Sequence, residues 1–550
     1  MGRQGDWRRR ARELAHFAPA SMVTAVTERR RQGDWRGACA AARFDPHLNL
    51  RDVANRYGDQ EAGRIAADLA GFAPDLLRRF LPRVAAGVLE PQARVVLSRR
   101  TEPLRTSPSE VPPSGSARPG LPGVARPPAP VLIAFLPNSV SAPQRVILRV
   151  GEVDRLTDRW YDLPDWCWHA DAVEQRRWAY GASPTRLAWH RPDGTPCRSD
   201  GPSTAEWPVD RATEMETIHH LLGDNRVVEA YGAAGLAVDV DLGDDARDRH
   251  RWQWWTEVEM VRLGTTLPVL AAEARRLARR YGRTTLTGGR SVTTAVDVID
   301  GGPATVRRTE GGERLGGPDP VAMVAPIEAG LLNRRLLRPD ELHPLVHEAL
   351  FPDRRQDWRI PPPAPVPVIR IRCGGPTPHT LRVTDGSLSA EYHTEQELRR
   401  ELVLGGLGGP ISGCAAAVRA WRTGQGPVPK RIRLIRRDFF ALARHGDTDS
   451  LLAVLADGFD PALRDGDGGT LLHWLHQLDH AEILPLLLAA GLSLDERDRN
   501  RDTPLHRAAR AGATEVMAAL VEAGADAGLP DANGRTPADV LEQTRARSGR

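Results

Sequence analysis

Lysine is almost missing from this 550-residue sequence: Lys430 is the single lysine among 75 basic side chains, and the rest are arginine. That bias, with abundant Ala, Gly and Pro, is what a very G+C-rich bacterial genome produces, so arginine richness alone does not indicate nucleic acid. A net charge of +4 is close to balanced. Cysteine is scarce. The five that occur (Cys39, Cys167, Cys197, Cys373, Cys414) are odd in number and include no C-x-x-C pair. A disulfide framework is excluded, and reduced thiols are expected. Long apolar runs are missing too, since the longest, ILPLLLAAGLSL at Ile483–Leu494, is too short to span a bilayer. The opening MGRQGDWRRR has no apolar run behind its charges, and Asp6 stands where a myristoylation signal needs Ser or Thr. Neither a signal peptide nor a lipid anchor is read, and a cytoplasmic protein without a membrane partner is expected.

Catalytic signatures are equally sparse. There is no P-loop, G-x-S-x-G or H-E-x-x-H; His219-His220 lacks the zinc-protease spacing. The glycines of LGGLGGP do not make G-x-G-x-x-G and follow a helix instead of a strand, which removes a dinucleotide site. A triad assembled in space would leave no such trace.

What is present is a long, segmented chain. With 41% apolar residues and a mean hydropathy of −0.40, it has the composition of a globular protein too long for one core, so roughly two to four domains are expected. Residues 1–100 hold 19 arginines against 11 acids, a surplus of 8, while residues 437–550 hold 12 against 19, a deficit of 7. The two ends are suited either to attract each other or to choose partners of opposite charge.

Residues 1–101 read as a basic all-α domain. RQGDWR occurs twice (Arg3–Arg8, Arg31–Arg36), with Asp6 or Asp34 placed to cap a following helix, and helical spacing further on is broken at Pro74 and Pro82. Residues 102–130 are Pro, Ser and Gly punctuation, a linker. Residues 131–355 read as an α+β domain: VLIAFLP, QRVILRV and GLAVDVDL are strand-like, TTAVDVIDGGPATVRR reads as a hairpin around Asp300-Gly301-Gly302, and ATEMETIHHLLG and Trp252–Tyr281 read as helices. Residues 365–429 form a small hairpin-plus-helix unit, with a turn at Asp385-Gly386 and a T-x-x-E capping box at Thr394 and Glu397.

Residues 430–550 repeat. Thr470, Thr503 and Thr536 stand 33 apart, as do Gly458, Gly491 and Gly524, and Asp460, Ser493 and Asp526. RDTPLHRAARAGATEVMAALVEAGAD (Arg501–Asp526) has the letters of a helix, a turn at Gly512 and a second helix stopped at Gly524. Threonine caps, Pro504 occupies the first turn where no amide partner is needed, and Ala508 and Ala509 let helices approach. The 33-residue period with T-P-L-H-x-A-A resembles the ankyrin-repeat family. That resemblance implies an α-solenoid whose units bury their apolar faces only against neighbours. The unit from Thr470 departs from the pattern, with Leu471 for proline, Leu475 and His476 for alanines and Asp479 for the turn glycine. The units near Phe439-Phe440 and from Thr536 read as caps.

The resemblance also implies a protein-binding surface at hairpin tips and on the concave face of the first helices. Carried onto this chain, the tips are Arg464, Asp465, Asp467, Arg497, Asp498, Arg499, Asn500, Asp531 and Asn533, and the concave face is Trp474, Gln477, Arg507 and Arg510. Elsewhere, Cys167, His169, His190 and Cys197 could together hold zinc, but their spacing is too tight in one pair and too wide in the other, and a tryptophan-rich core is the preferred reading. Asp239, Asp241, Asp244 and Asp245 lack the rest of a calcium loop. Trp252, Trp254 and Trp255 read as helix anchors in preference to base-stacking residues. KRIRLIRR (Lys430–Arg437) reads as packed against the first repeat in preference to nucleic acid.

The expectation is therefore a multidomain protein–protein interaction or scaffold protein with a protein partner, no cofactor, no metal and no catalytic residue singled out. Two alternatives stand beside it. One is an enzyme with its catalytic domain in 131–430 and the repeats as targeting handle. The other is nucleic-acid binding by the basic N-terminal helices.

Overall fold

β-Branched runs set the strands and small-residue helical stretches set the helices, but their grouping follows contacts far apart in the chain. The computed structural model describes residues 2–84, 87–100, 129–153, 156, 160–197, 210–239, 266–282, 284–287, 294–299, 302–308, 326–358, 369–384, 387–409, 411–423 and 429–548. The chain divides into two compact units. Among the described residues, no helix is long and apolar enough to cross a membrane.

The first unit comprises Met1–Pro82, Gln92–Leu136 and Arg145–Arg359. Its elements are α1 (Gly2–Phe17), α2 (Ala20–Arg31), α3 (Trp35–Ala41), β1 (Phe44–Pro46), α4 (Leu50–Tyr57), α5 (Asp59–Ala70), α6 (Pro74–Phe80), β2 (Arg94–Leu97), β3 (Val131–Phe135), β4 (Val146–Gly151), β5 (Trp160–Leu163), α7 (Val173–Ala179), α8 (Arg211–Gly223), α9 (Val227–Ala233), β6 (Leu236–Asp239), α10 (Leu267–Tyr281), β7 (Thr285–Thr287), β8 (Thr294–Asp297), β9 (Ala304–Arg308), α11 (Ile327–Asn333) and α12 (Pro344–Leu350). Asp34 caps α3, accepting from the Gly37 amide at 2.8 Å. Asp6, its counterpart in the first RQGDWR, lies inside α1 instead. Gly33, at φ +72° within the second copy, breaks α2 from α3, whereas its counterpart Gly5 lies inside α1.

Residues 1–101 are not helical throughout. β1 and β2 join a five-stranded sheet in the order β1-β4-β3-β2-β5, in which β1 runs parallel to β4 and β2 parallel to β5. The buried run Val95–Leu97 pairs with Leu132–Ala134, so a short apolar segment that periodicity cannot separate from helix becomes a strand by pairing. A second sheet, β6-β9-β8-β7, contains the hairpin read around 300–302, with β8 and β9 antiparallel. One apolar cluster, including Val96, Ile133, Trp160, Leu270, Leu277 and Val306, packs both sheets against α8–α10. Asp241, Asp244, Asp245, Trp252, Trp254, Trp255 and nearly all of the 102–130 linker lie outside the described residues.

The second unit comprises Arg83–Pro91, Pro137–Gln144 and Ile360–Arg550. It holds β10 (Ile369–Arg372), β11 (Pro378–Thr384), β12 (Ser387–Ala390), α13 (Glu395–Gly406), α14 (Gly413–Thr423), α15 (Lys430–His445), α16 (Thr448–Ala456), a 3-10 helix at Leu471–Gln477, α17 (His480–Ala489), α18 (Pro504–Ala511), α19 (Thr514–Glu522) and α20 (Pro537–Ser548). β10-β11-β12 is an antiparallel sheet, and the Thr384↔Ser387 register leaves a two-residue connection at 385–386, residues outside the described set. The Thr394 capping box is formed: the Glu397 amide donates to Thr394 Oγ1 at 3.2 Å and the Thr394 amide to Glu397 at 2.8 Å. KRIRLIRR is the first half of α15, with Ile432 fully buried and the Arg436 guanidinium donating to the Ala420 carbonyl at 3.0 Å. A continuous apolar core runs from Leu381 and Trp421 through Phe439, Phe440 and Leu471 to Leu505 and Leu520. Phe439 stacks on Phe459 with centroids 4.4 Å apart, and Phe459 meets Trp421 of α14. The first repeat is thus packed against the small sheet-and-helix unit through these aromatics.

Candidate partner-binding surface of the C-terminal repeats

Each full repeat is organised by a threonine and a histidine three residues on. The Thr503 amide donates to His506 Nδ1 at 3.2 Å, and the His506 amide returns to Thr503 Oγ1 at 3.4 Å. With Nδ1 accepting, the proton sits on Nε2, which donates to the Arg535 carbonyl of the following hairpin at 3.0 Å. His473 does the same: its Nδ1 accepts from the Thr470 amide at 3.0 Å and its Nε2 donates to the Asp502 carbonyl at 3.1 Å. A buried, neutral imidazole therefore joins the second repeat to the third, and another joins the third to the hairpin that follows it. Burial pushes the His473 pKa below its ordinary value, which favours the neutral form this bond needs.

The hairpins between repeats are braced by Asp465, Asp498 and Asp531, which recur every 33 residues and are buried at 7%, 6% and 3% exposure. Asp498 Oδ1 accepts from the amides of Asn500 (2.8 Å) and Asp502 (3.0 Å), and Oδ2 accepts from both Nε and Nη2 of Arg507. Asp531 accepts from the amides of Asn533 and Arg535 and from the Arg535 guanidinium; these bonds outweigh burial and hold its carboxyl well below the usual range. In the earlier hairpin, Asp465 accepts from the Asp467 and Gly469 amides, each at 2.8 Å, and from the Trp474 indole at 2.9 Å. Neighbouring hairpins are linked in turn: the Arg499 amide donates to the Asp467 carbonyl at 2.9 Å, and the Ala532 amide to the Asn500 carbonyl at 3.1 Å.

These bonds sort the thirteen residues read from the sequence. Asp467, Arg499, Asn500 and Asn533 are exposed at the hairpin edge, and Arg464, Arg497, Trp474, Arg507 and Arg510 are half-buried. Arg464 reaches across to Glu496 at 2.7 Å, and Arg510 pairs with the buried Asp502 at 2.9 Å. Asp465, Asp498 and Asp531 face inward as braces. Gln477 is buried and engaged within its own unit: its side-chain oxygen accepts from the Gln144 amide at 3.0 Å, and its nitrogen donates to the Ala142 carbonyl at 2.9 Å. A charged residue in a hairpin reads as solvated, which is why the three aspartates were placed at the surface. The available signal was their fixed place, five residues before each Thr, because a residue demanded by every copy serves the fold common to the copies.

The structure also brings together four side chains that sequence spacing did not. Among the described residues, the one group able to hold a metal ion is Cys373, His379, His393 and Cys414, whose ligand atoms all lie within 4.8 Å of one another. The quartet weighed from the sequence sits elsewhere: Cys167 ends a short 3-10 turn in a core with Trp166 and Trp168, His169 bridges to Phe72, and His190 lies in a bridge to Pro196 against Phe351. Burial raises the Cys167 thiol well above its ordinary pKa, as a core thiol requires.

Residues 439–531 match the family model described as "Ankyrin repeats (3 copies)". No curated protein matches the chain.

Proposed function

From the premise that residues 439–531 are three ankyrin repeats, a protein–protein interaction module, we propose that this chain is a cytoplasmic bacterial scaffold that holds a protein partner against the hairpin edge of those repeats. The observation that carries this reading is the row of hairpins, tied to one another through the Arg499 and Ala532 amides and braced from inside by aspartates, with Asp467, Arg499, Asn500 and Asn533 turned outward. Side chains of both signs and neutral amides, held on rigid hairpins, suit a polar protein surface. A specific interface covers about 800 Å² per partner, so a row this short needs Arg464, Arg497, Trp474, Arg507 and Arg510 as well. Five free thiols accord with a reducing compartment.

The test is affinity capture with the full chain against a variant carrying Asp467→Ala, Arg499→Ala, Asn500→Ala and Asn533→Ala. A protein held by the parent chain should be lost from the variant while the melting temperature of the variant stays within a degree or two. Equal capture by both chains would remove the hairpin edge as the binding surface.

A further inference from the structure

We propose that Cys373, His379, His393 and Cys414 form a structural zinc site that clips together the small unit against which the first repeat packs. The four ligands come from four elements: Cys373 follows β10, His379 lies in β11, His393 precedes the α13 cap, and Cys414 stands in the first turn of α14. Three edges of the group are short, with His379 Nδ1 to His393 Nε2 at 3.0 Å, Cys373 Sγ to His393 Nε2 at 3.3 Å and Cys414 Sγ to His379 Nδ1 at 3.7 Å. With bonds of about 2.3 Å to sulfur and about 2.0–2.1 Å to nitrogen, a tetrahedral zinc ion requires ligand–ligand edges of about 3.3–3.8 Å. The observed edges lie in or next to that range.

Three further features belong to a metal site more than to a chance cluster. The Cys414 amide donates to Cys373 Sγ at 3.4 Å, a bond that a thiolate accepts well. Gly413 carries no Cβ, and one placed there would collide with the Arg372 carbonyl oxygen, so glycine is what lets the start of α14 lie against the end of β10. Gly374, directly after Cys373, turns the chain at φ +81° towards His379. Two thiolates and two imidazoles make a borderline-soft, closed, four-protein-ligand set, which selects zinc in a structural role over magnesium or calcium. The spacing Cys373-x5-His379-x13-His393-x20-Cys414 contains no tight ligand pair, so only strand pairing and the packing of α14 assemble it.

The clip has a mechanical consequence. α14 carries Trp421, which meets Phe459, and its Ala420 carbonyl accepts from Arg436 of the first repeat. Fixing α14 to the sheet thereby fixes the surface that covers the first repeat.

The full-length chain, loaded with Zn²⁺ and dialysed, should carry about one zinc by elemental mass spectrometry, and Cys373→Ser/Cys414→Ser should lower that at least roughly ten-fold, while Cys197→Ser leaves it unchanged. Loaded with Co²⁺, the parent chain should give tetrahedral d–d bands and a thiolate-to-cobalt charge-transfer band. A third measurement needs no variant: Zn²⁺ should slow alkylation of Cys373 in the parent chain at least roughly ten-fold, read peptide by peptide, with Cys197 unaffected. Less than a tenth of an equivalent of zinc, the absence of the charge-transfer band, or equal Cys373 alkylation with and without Zn²⁺ would each overturn the site.

Discussion

The second and third repeats, from Thr470 and from Thr503, share one phase and solve the same problems with different residues. In the third, α18 is a full α-helix that ends at Gly512 with φ +69°. In the second, Asp479 occupies the glycine position at φ −75°, and the preceding helix is 3-10, leaving through an extended Leu478. Without a residue that enters the left-handed region cheaply, the helix tightens and the chain departs straight. Asp479 then caps α17 by accepting from the Ala481 amide at 3.2 Å. The hairpin brace tolerates a similar exchange, since Asp498 is met by the Arg507 guanidinium and Asp465 by the Trp474 indole in the same phase. The lesson is that the repeat conserves hydrogen-bonding tasks, and the letters change while the tasks stay.

The largest break in this comparison should come from removing the braces. Asp498→Ala leaves two hairpin amides and a half-buried guanidinium without their acceptor and should cost about 3 kcal/mol by chemical denaturation. Asp465→Ala, whose side-chain partner is neutral, should cost about 2 kcal/mol. The reverse order would show that the cation contributes less than the amides. Acid is the next lever. Burial lowers the pKa of His473 and takes that of His476 to about 3, and the third repeat has Ala509 where the second has His476. A histidine lowered in the folded state contributes stability that is present above its unfolded value of about 6.5 and is lost as pH falls below it. Hydrogen exchange should therefore show the second repeat opening before the third as pH drops from about 7 to about 4, and His476→Ala should narrow the gap.

A smaller effect sharpens the hairpin comparison. Gly468, Arg501 and Gly534 share one phase, and all have positive φ, at +83°, +57° and +76°. Arg501→Gly should stabilise the chain by about 1 kcal/mol in a denaturant titration, because arginine alone of the three bears the left-handed penalty. The smallest change is expected from Asp479→Gly, which loses a cap and gains a permissive turn; a net loss of about 0.5 kcal/mol is anticipated, together with a longer helix by NMR chemical shifts.

Much of the second unit was legible before any coordinates. The 33-residue period, the Thr394 capping box and the glycine stops at Gly458, Gly491 and Gly524 are local devices, written within a few residues of where they act. In the first unit, Asp34 was legible as a cap for the same reason. β2 was not, because Val95–Leu97 becomes a strand only by pairing with Leu132–Ala134 and with Tyr161–Leu163. The binding surface was half legible. Periodicity located the hairpins, yet the direction in which Asp465, Asp498 and Asp531 point depends on amides that fold back around them.

By itself the sequence determined the repeat, its phase and its caps, since a helix start or stop is decided by the few residues that supply or withhold the first hydrogen bonds. The tertiary structure alone decided that Gln477 is engaged by the 142–144 segment and that Cys373 meets Cys414 across 41 residues of chain. Contacts of that kind cost loop-closure entropy and are recovered only through packing of the whole unit, so no short window of sequence records them.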